Sequence, residues 1–116
     1  MVHRVLVVDD DKDLREAIFE QFQLHDEFSV TMVENASQAL DKARGNEADI
    51  VLLDVDLPDM DGREACRRMR KDGFKGVVIM LTGSVTDNLA AEAFKRGARD
   101  YVLKKGLNRN AIDRII

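Results

Sequence analysis

Ile50-Val51-Leu52-Leu53-Asp54 sets four consecutive apolar side chains ahead of one carboxylate. A strand with one covered face alternates apolar and polar residues. Four apolar neighbours in a row suit a strand covered on both faces, as in a parallel sheet lying between layers of helices. The pattern recurs along the chain. Val5-Leu6-Val7-Val8 runs into Asp9-Asp10, and Val77-Val78-Ile79-Met80-Leu81 runs into Thr82. Tyr101-Val102-Leu103 is a shorter version that runs into Lys104. Residues 29–34, around Val30, Met32 and Val33, alternate loosely and complete five predicted strands.

Helical stretches separate these strands. Leu14, Ile18 and Phe22 recur at four-residue spacing within 12–25, one stripe of a helix. Asn35 is placed to cap a helix over 36–44, with Gln38 three residues on and Gly45 just past its end. A helix from Gly62 to about Lys71 turns Ala65, Cys66 and Met69 inward. Arg63, Arg67, Arg68, Arg70 and Lys71 then read as its solvated face. Gly62 reads as the glycine of a tight turn. Another helix from about Asp87 buries Leu89, Ala90, Ala93 and Phe94 and stops at Gly97. Leu107, Ala111, Ile112, Ile115 and Ile116 mark a last helix, expected to be cut short at the chain end. The order βαβαβαβαβα predicts an α/β fold: a parallel five-stranded sheet with helices on both faces.

Composition bounds the function. At 116 residues the chain is one domain, 1–116, and buries roughly two thirds of its unfolded surface. With 18 basic and 22 acidic residues the net charge is −4, so this domain lacks the basic footprint of a nucleic-acid binder. No apolar run approaches the ~20 residues of a membrane helix, and the N-terminal apolar stretch is too short for a signal peptide. The single cysteine, Cys66, allows no internal disulfide and points to a reducing cytoplasm, where it reads as an inert buried thiol. His3 and His25 lack partners at zinc-ligand spacing.

Polar residues stand where the apolar strands end: Asp9 and Asp10, Asp54, Thr82 and Lys104. In an open parallel sheet the ligand site lies outside the carboxyl ends of the strands, so these residues are expected on one rim. Two carboxylates ~4 Å apart repel by about 4 kcal/mol at an effective dielectric of ~20, so three together call for a cation. All-oxygen ligands on an open rim favour Mg²⁺. A lysine and a hydroxyl beside that ion make a receptor for a phosphoryl group, and a central carboxylate is able to act as its nucleophile. The plain alternative for Asp9-Asp10 is a helix-capping cluster.

Val5-Leu-Val-Val-Asp9-Asp10, Ile50-Val-Leu-Leu-Asp54, Leu57-Pro-Asp-Met-Asp-Gly62, Leu81-Thr82-Gly-Ser and Gly97-Ala-Arg-Asp-Tyr-Val-Leu-Lys104 together resemble the receiver domain of bacterial two-component response regulators, the CheY-like family. The resemblance covers nearly the whole chain. It implies a flavodoxin-like doubly wound sheet with strand order 2-1-3-4-5. It implies that Asp54 accepts phosphate from a sensor histidine kinase or a phosphotransfer protein. Asp10 then holds Mg²⁺ directly, Asp9 assists through water, and the backbone carbonyl of Asp56 completes the protein ligands together with Asp54. Lys104 pairs with the phosphoryl group and Thr82 hydrogen-bonds it. Tyr101 turns inward as Thr82 moves, reshaping the face of the fourth helix, fifth strand and fifth helix. That face controls an output domain or a homodimer. The domain also hastens loss of its own phosphate.

One place departs from the family pattern. Lys105 and Gly106 follow Lys104 where the family usually has proline, often through a cis bond. A non-proline cis bond costs roughly 3–4 kcal/mol, so a trans bond and a different approach of Lys104 are expected, with Lys105 as a competitor for its role. Two further readings stand beside the switch. One is a receiver-like scaffold that binds partners without phosphorylation. The other is a metal-dependent phosphatase, since Asp54-Val55-Asp56 is similar to the paired aspartates of haloacid-dehalogenase-like hydrolases, although Pro58 stands where they carry a hydroxyl residue or valine. A calcium loop over 57–68 is excluded by Leu57 and Arg68 at its acidic positions.

Overall fold

A computed structural model of the chain describes residues 2–83 and 97–104. Its elements are β1 (His3–Val8), α1 (Lys12–Gln23), β2 (Phe28–Val33), α2 (Ala36–Arg44), β3 (Ile50–Asp54), α3 (Gly62–Lys71), β4 (Val77–Thr82) and β5 (Asp100–Leu103). The predicted helix from about Asp87, as far as residue 96, the one over 107–116, and Lys105 lie outside the described residues.

All four strand pairings are parallel and the order is β2-β1-β3-β4-β5. The expected flavodoxin-like fold is therefore observed. Consecutive apolar side chains point to opposite faces of a strand, so each run feeds two cores. Val5, Val7, Ile50, Leu52, Ile79, Leu81 and Val102 pack with Ile18 and Phe22 of α1. Leu6, Val8, Val51, Leu53, Val78 and Met80 pack on the other face with α2 and α3, through Ala39, Leu40, Ala65, Cys66 and Met69. Cys66 is a free, buried thiol, and burial pushes its pKa up.

The helix ends refine the sequence reading. α1 stops at Gln23, and its N-cap is Asp11, which accepts from the backbone N–H of Asp13 and Leu14. Asp9 and Asp10 are thus not the capping pair. Asn35 caps α2 as expected, accepting from Gln38 N–H. Gln38 reaches back to the N–H of Glu34 rather than of Asn35. Past the end of α2, Gly45 has φ −77°, and it is Asn46, at φ 54°, that adopts the left-handed conformation. Asparagine tolerates it because its short polar side chain bonds locally.

Gly62 needs no positive φ either. It is glycine because a Cβ there would overlap the backbone carbonyl of Asp54. Gly62 N–H donates to Val55 O, so α3 begins pressed against the end of β3.

Arg70 departs from the expected solvated face. Its guanidinium donates to three backbone carbonyls, those of Phe74, Gly76 and Gly97. Arg67 and Arg68 do face solvent and pair with Glu64. Another contact invisible in the sequence is made by Asp59. In the loop after β3, its carboxylate accepts from the N–H groups of Ala36 and Ser37 at the start of α2. Against the upward push of burial, those two bonds hold its pKa below the ordinary value.

Candidate functional site at the carboxyl ends of the strands

Sheet register decides which residues meet. Val8 pairs with Leu53, so Asp9 and Asp54 leave neighbouring strands at one level. Asp54 pairs with Leu81, which puts Thr82 one residue further along. Thr82 pairs with Leu103, which puts Lys104 one residue further again. At a rise of about 3.3 Å per residue, the Lys104 backbone stands roughly 7 Å beyond the level of Asp54. A long, flexible side chain is needed to reach back across that step.

Lys104 does reach back. Its ammonium lies 3.0 Å from Asp9 Oδ2 and 3.1 Å from Asp54 Oδ1. Asp9 and Asp54 are almost wholly buried, at 0% and 1% exposure. One carboxylate oxygen from each of Asp9, Asp10 and Asp54 lies within 4.8 Å of the others, while Asp10 itself is exposed. The expected rim is therefore assembled, with Asp9, Asp10, Asp54 and Lys104 in one cluster. Thr82, also buried, ends the strand beside Asp54.

The two buried carboxylates are held differently. Asp9 Oδ1 accepts from Asp11 N–H at 2.8 Å, and its Oδ2 takes the ion pair with Lys104, in a geometry short of a hydrogen bond. Asp54 Oδ1 accepts from Asp56 N–H at 3.1 Å and faces Lys104, whereas Asp54 Oδ2 is buried without a hydrogen-bond partner. Burial pushes the Asp54 pKa up, and the nearby Asp9 charge adds to that; the Asp56 N–H and Lys104 pull the other way without cancelling it. Burial lowers the pKa of Lys104, but its contacts with Asp9 and Asp54 outweigh this and hold it above the ordinary value.

Two contacts that the sequence does not reveal support this geometry. Asp56 turns its backbone N–H onto Asp54, in addition to the carbonyl role expected of it. Arg15, one turn into α1, donates to the backbone carbonyl of Asp9 at 2.8 Å and lies 3.8 Å from Glu34. An arginine in a charged helix carries no mark of such a contact. Tyr101 pairs in register with Met80, is half-buried, and packs on the core beneath α2 and α3. The bond from Lys104 to Lys105 lies outside the described residues, but Lys104 itself arrives at both buried carboxylates.

Oxygen donors at this spacing fit a hard divalent cation, and the unpartnered Asp54 Oδ2 leaves an acceptor for it or for a phosphoryl group. No helix among the described residues is long and apolar enough to cross a membrane.

Comparison with known proteins agrees with this architecture. The family model of the response regulator receiver domain matches residues 5–116. The response regulator MprA of Mycobacterium sp. (strain KMS) is 37% identical over 103 residues, 87% of this chain and 44% of that protein. The regulatory protein AtoC of Escherichia coli (strain K12) is 34% identical over 103 residues, 89% of this chain and 22% of that protein. The chain thus spans less than half the length of these curated relatives. Among solved structures, a CheY-like receiver domain protein of Methanospirillum hungatei JF-1 superposes with a TM-score of 0.90 at 25% identity, covering 99% of this chain and 91% of that one. The BeF3-activated N-terminal receiver domain of Klebsiella pneumoniae RstA does so with a TM-score of 0.88 at 28% identity, covering 97% and 94%.

Proposed function

The chain belongs to the response regulator receiver domain family, and from that premise we propose that residues 1–116 form one phosphorylation-controlled switch whose acceptor is Asp54. A domain of this family is a signalling domain rather than a classical enzyme. The phosphoryl donor is a sensor histidine kinase or a phosphotransfer protein. The observation that carries the reading is the state of Asp54: one carboxylate oxygen is fixed by Asp56 N–H and Lys104, while the other is buried and unpartnered.

Each residue has a chemical task. Asp54 Oδ2 attacks phosphorus, the bond from phosphorus to the donor breaks, and the donor leaves with its electron pair. Lys104 meets the added charge, and the Thr82 hydroxyl donates to a phosphoryl oxygen. Asp10, Asp54 and the Asp56 carbonyl hold Mg²⁺, with Asp9 assisting. When bound, the ion supplies positive charge opposite the phosphoryl oxygens. The phosphoryl group bears about −1.5 to −2 where the carboxylate bore −1, so it holds Lys104 in place and draws Thr82 toward Asp54, and Tyr101 follows, reshaping the face of the fourth helix, β5 and the fifth helix. An output domain or a second copy reads that face. The setting is cytoplasmic, and this domain touches neither nucleic acid nor membrane. No observation on the described residues favours the phosphatase or the unphosphorylated scaffold.

The test is chemical. Acetyl phosphate with Mg²⁺ adds one phosphate by mass, and Asp54→Asn prevents it. A modification that survives this substitution overturns the assignment.

A further inference from the structure

α3 touches the site at one end only. Its first residue, Gly62, is pressed against the Asp54 carbonyl. Its last turn carries Arg70, at the end of the helix away from Gly62. Arg70 Nη1 donates to Phe74 O at 2.9 Å and to Gly76 O at 2.7 Å, in the loop before β4. Nε and Nη2 both donate to Gly97 O, at 3.0 and 2.9 Å. Gly97 has φ 101°, and a Cβ there would stand 2.6 Å from Arg70 Cγ. Glycine at 97 thus serves both the backbone conformation and the approach of the arginine stem. No ion pair to Arg70 is found among the described residues, so its charge is directed to carbonyl oxygens.

Gly97 stands three residues before the start of β5. That strand has four residues and one neighbour, β4. Its register rests on four pairings and on Arg99 N–H to Val78 O at 2.8 Å. A short edge strand with one partner has few bonds to fix its register besides the packing of Val102 and Tyr101, and a slip of one residue would carry it about 3.3 Å and reverse its faces. Lys104 follows the strand immediately, and its 3.0 and 3.1 Å contacts would not survive such a slip.

We propose that Arg70 is a positioning residue for Lys104: by gripping Gly97 O it fixes where β5 begins, and so where the ammonium arrives at Asp54. The proposal rests on the reading of Asp54 as phosphoacceptor. It adds α3 as a strut that references both the acceptor, through Gly62, and the lysine, through Arg70.

The experiment compares the parent with Arg70→Ala, Lys104→Ala and the double variant. In metal-free protein, Arg70→Ala is expected to speed hydrogen exchange at Arg99 and along β5 while leaving β1 and β3 protected. Affinity for Mg²⁺ alone is expected to stay within about twofold, since its ligands stand on other strands. The rate of phosphorylation by acetyl phosphate is expected to fall about ten- to hundredfold, the penalty of a misplaced group. In the double variant the rate is expected to match Lys104→Ala alone, because both act through one ammonium. Where Arg70→Ala fails to fold, Arg70→Lys, which keeps the stem and charge but loses the two-pronged grip, enters the same comparison and gives a smaller loss in the same pattern. Rates that multiply in the double variant, or an unchanged single variant, overturn the proposal. A parent protein that takes no phosphate instead overturns the acceptor reading, and the exchange measurement on metal-free protein still decides whether Arg70 pins β5.

Discussion

Lys104 Nζ lies 3.1 Å from Asp54 Oδ1 although the strands that carry them are not neighbours: β4 lies between β3 and β5. The same ammonium also meets Asp9, which β1 supplies. One cation therefore ties together the ends of three strands and screens two buried carboxylates from each other.

Removing it exposes that repulsion. Lys104→Ala is expected to lower the stability of the metal-free protein at pH 7 by about 2–3 kcal/mol, less than for breaking a fully buried pair, because Lys104 retains 26% side-chain exposure. Urea denaturation measures it. A loss below about 0.5 kcal/mol, the level of an ordinary surface substitution, contradicts the account.

Asp54→Asn is expected to act in the opposite sense on stability while abolishing phosphorylation. A buried carboxylate oxygen without a partner is costly, so the metal-free variant gains about 1–3 kcal/mol at pH 7. The pKa of Asp54 is raised in the fold, so the native state binds its proton more tightly than the unfolded chain. Stability from this group is present at acid pH and lost as pH rises through the raised value. The advantage of the Asp54→Asn variant over the parent therefore widens from pH 4 to pH 7. Denaturation curves at the two pH values give the comparison, and a variant that is weaker at pH 7 counts against it.

Gly62→Ala forces a methyl group into the Asp54 carbonyl, where backbone rather than a flexible side chain must yield. The expected loss is about 3 kcal/mol, at the high end for overpacking. Gly83→Ala, with nothing among the described residues within 4 Å of the added carbon, is the control and changes stability by less than about 1 kcal/mol. Thermal unfolding of the pair distinguishes a steric cause from glycine flexibility, which would make the two variants alike.

At the opposite end of the sheet, Arg4 grips the Asp49 carboxylate through its backbone N–H, Nε and Nη2. Those bonds lower the Asp49 pKa from 3.8 to about 2. A lowered carboxylate stabilises above its unfolded pKa, and the contribution disappears as pH falls through the folded value. The difference in stability between the parent and Asp49→Asn is therefore expected to be constant above about pH 5 and to shrink between about pH 4 and pH 2. A difference that persists unchanged at the acid end would show that the carboxylate charge is not what matters.

What the sequence reveals and what it conceals divide along a physical line. Apolar runs such as Val5–Val8 and Ile50–Leu53 are long enough to require cover on both faces, so the layers and the polar strand ends were readable. The meeting of Asp9, Asp10, Asp54 and Lys104 then follows from parallel strands ending on one side. Hydrogen bonds from side chain to distant backbone leave no periodic trace. Arg70 sits among the basic residues of an exposed-looking helix, yet its donors serve Gly97, 27 residues away. Asp59 caps a helix that begins 23 residues before it. Gly62 was legible as a required glycine, but its reason, the Asp54 carbonyl, depends on how α3 returns to β3.

The sheet is also mechanically lopsided. Among the described residues, Asp9 and Asp54 stand at the ends of strands with a bonded neighbour on either side, and Lys104 follows a strand with one. A disturbance at the rim therefore finds an anvil beneath the acids and a spring beneath the amine. On the proposed reading, a phosphoryl group at Asp54 would be backed firmly on the acidic side and meet its least resistance at β5.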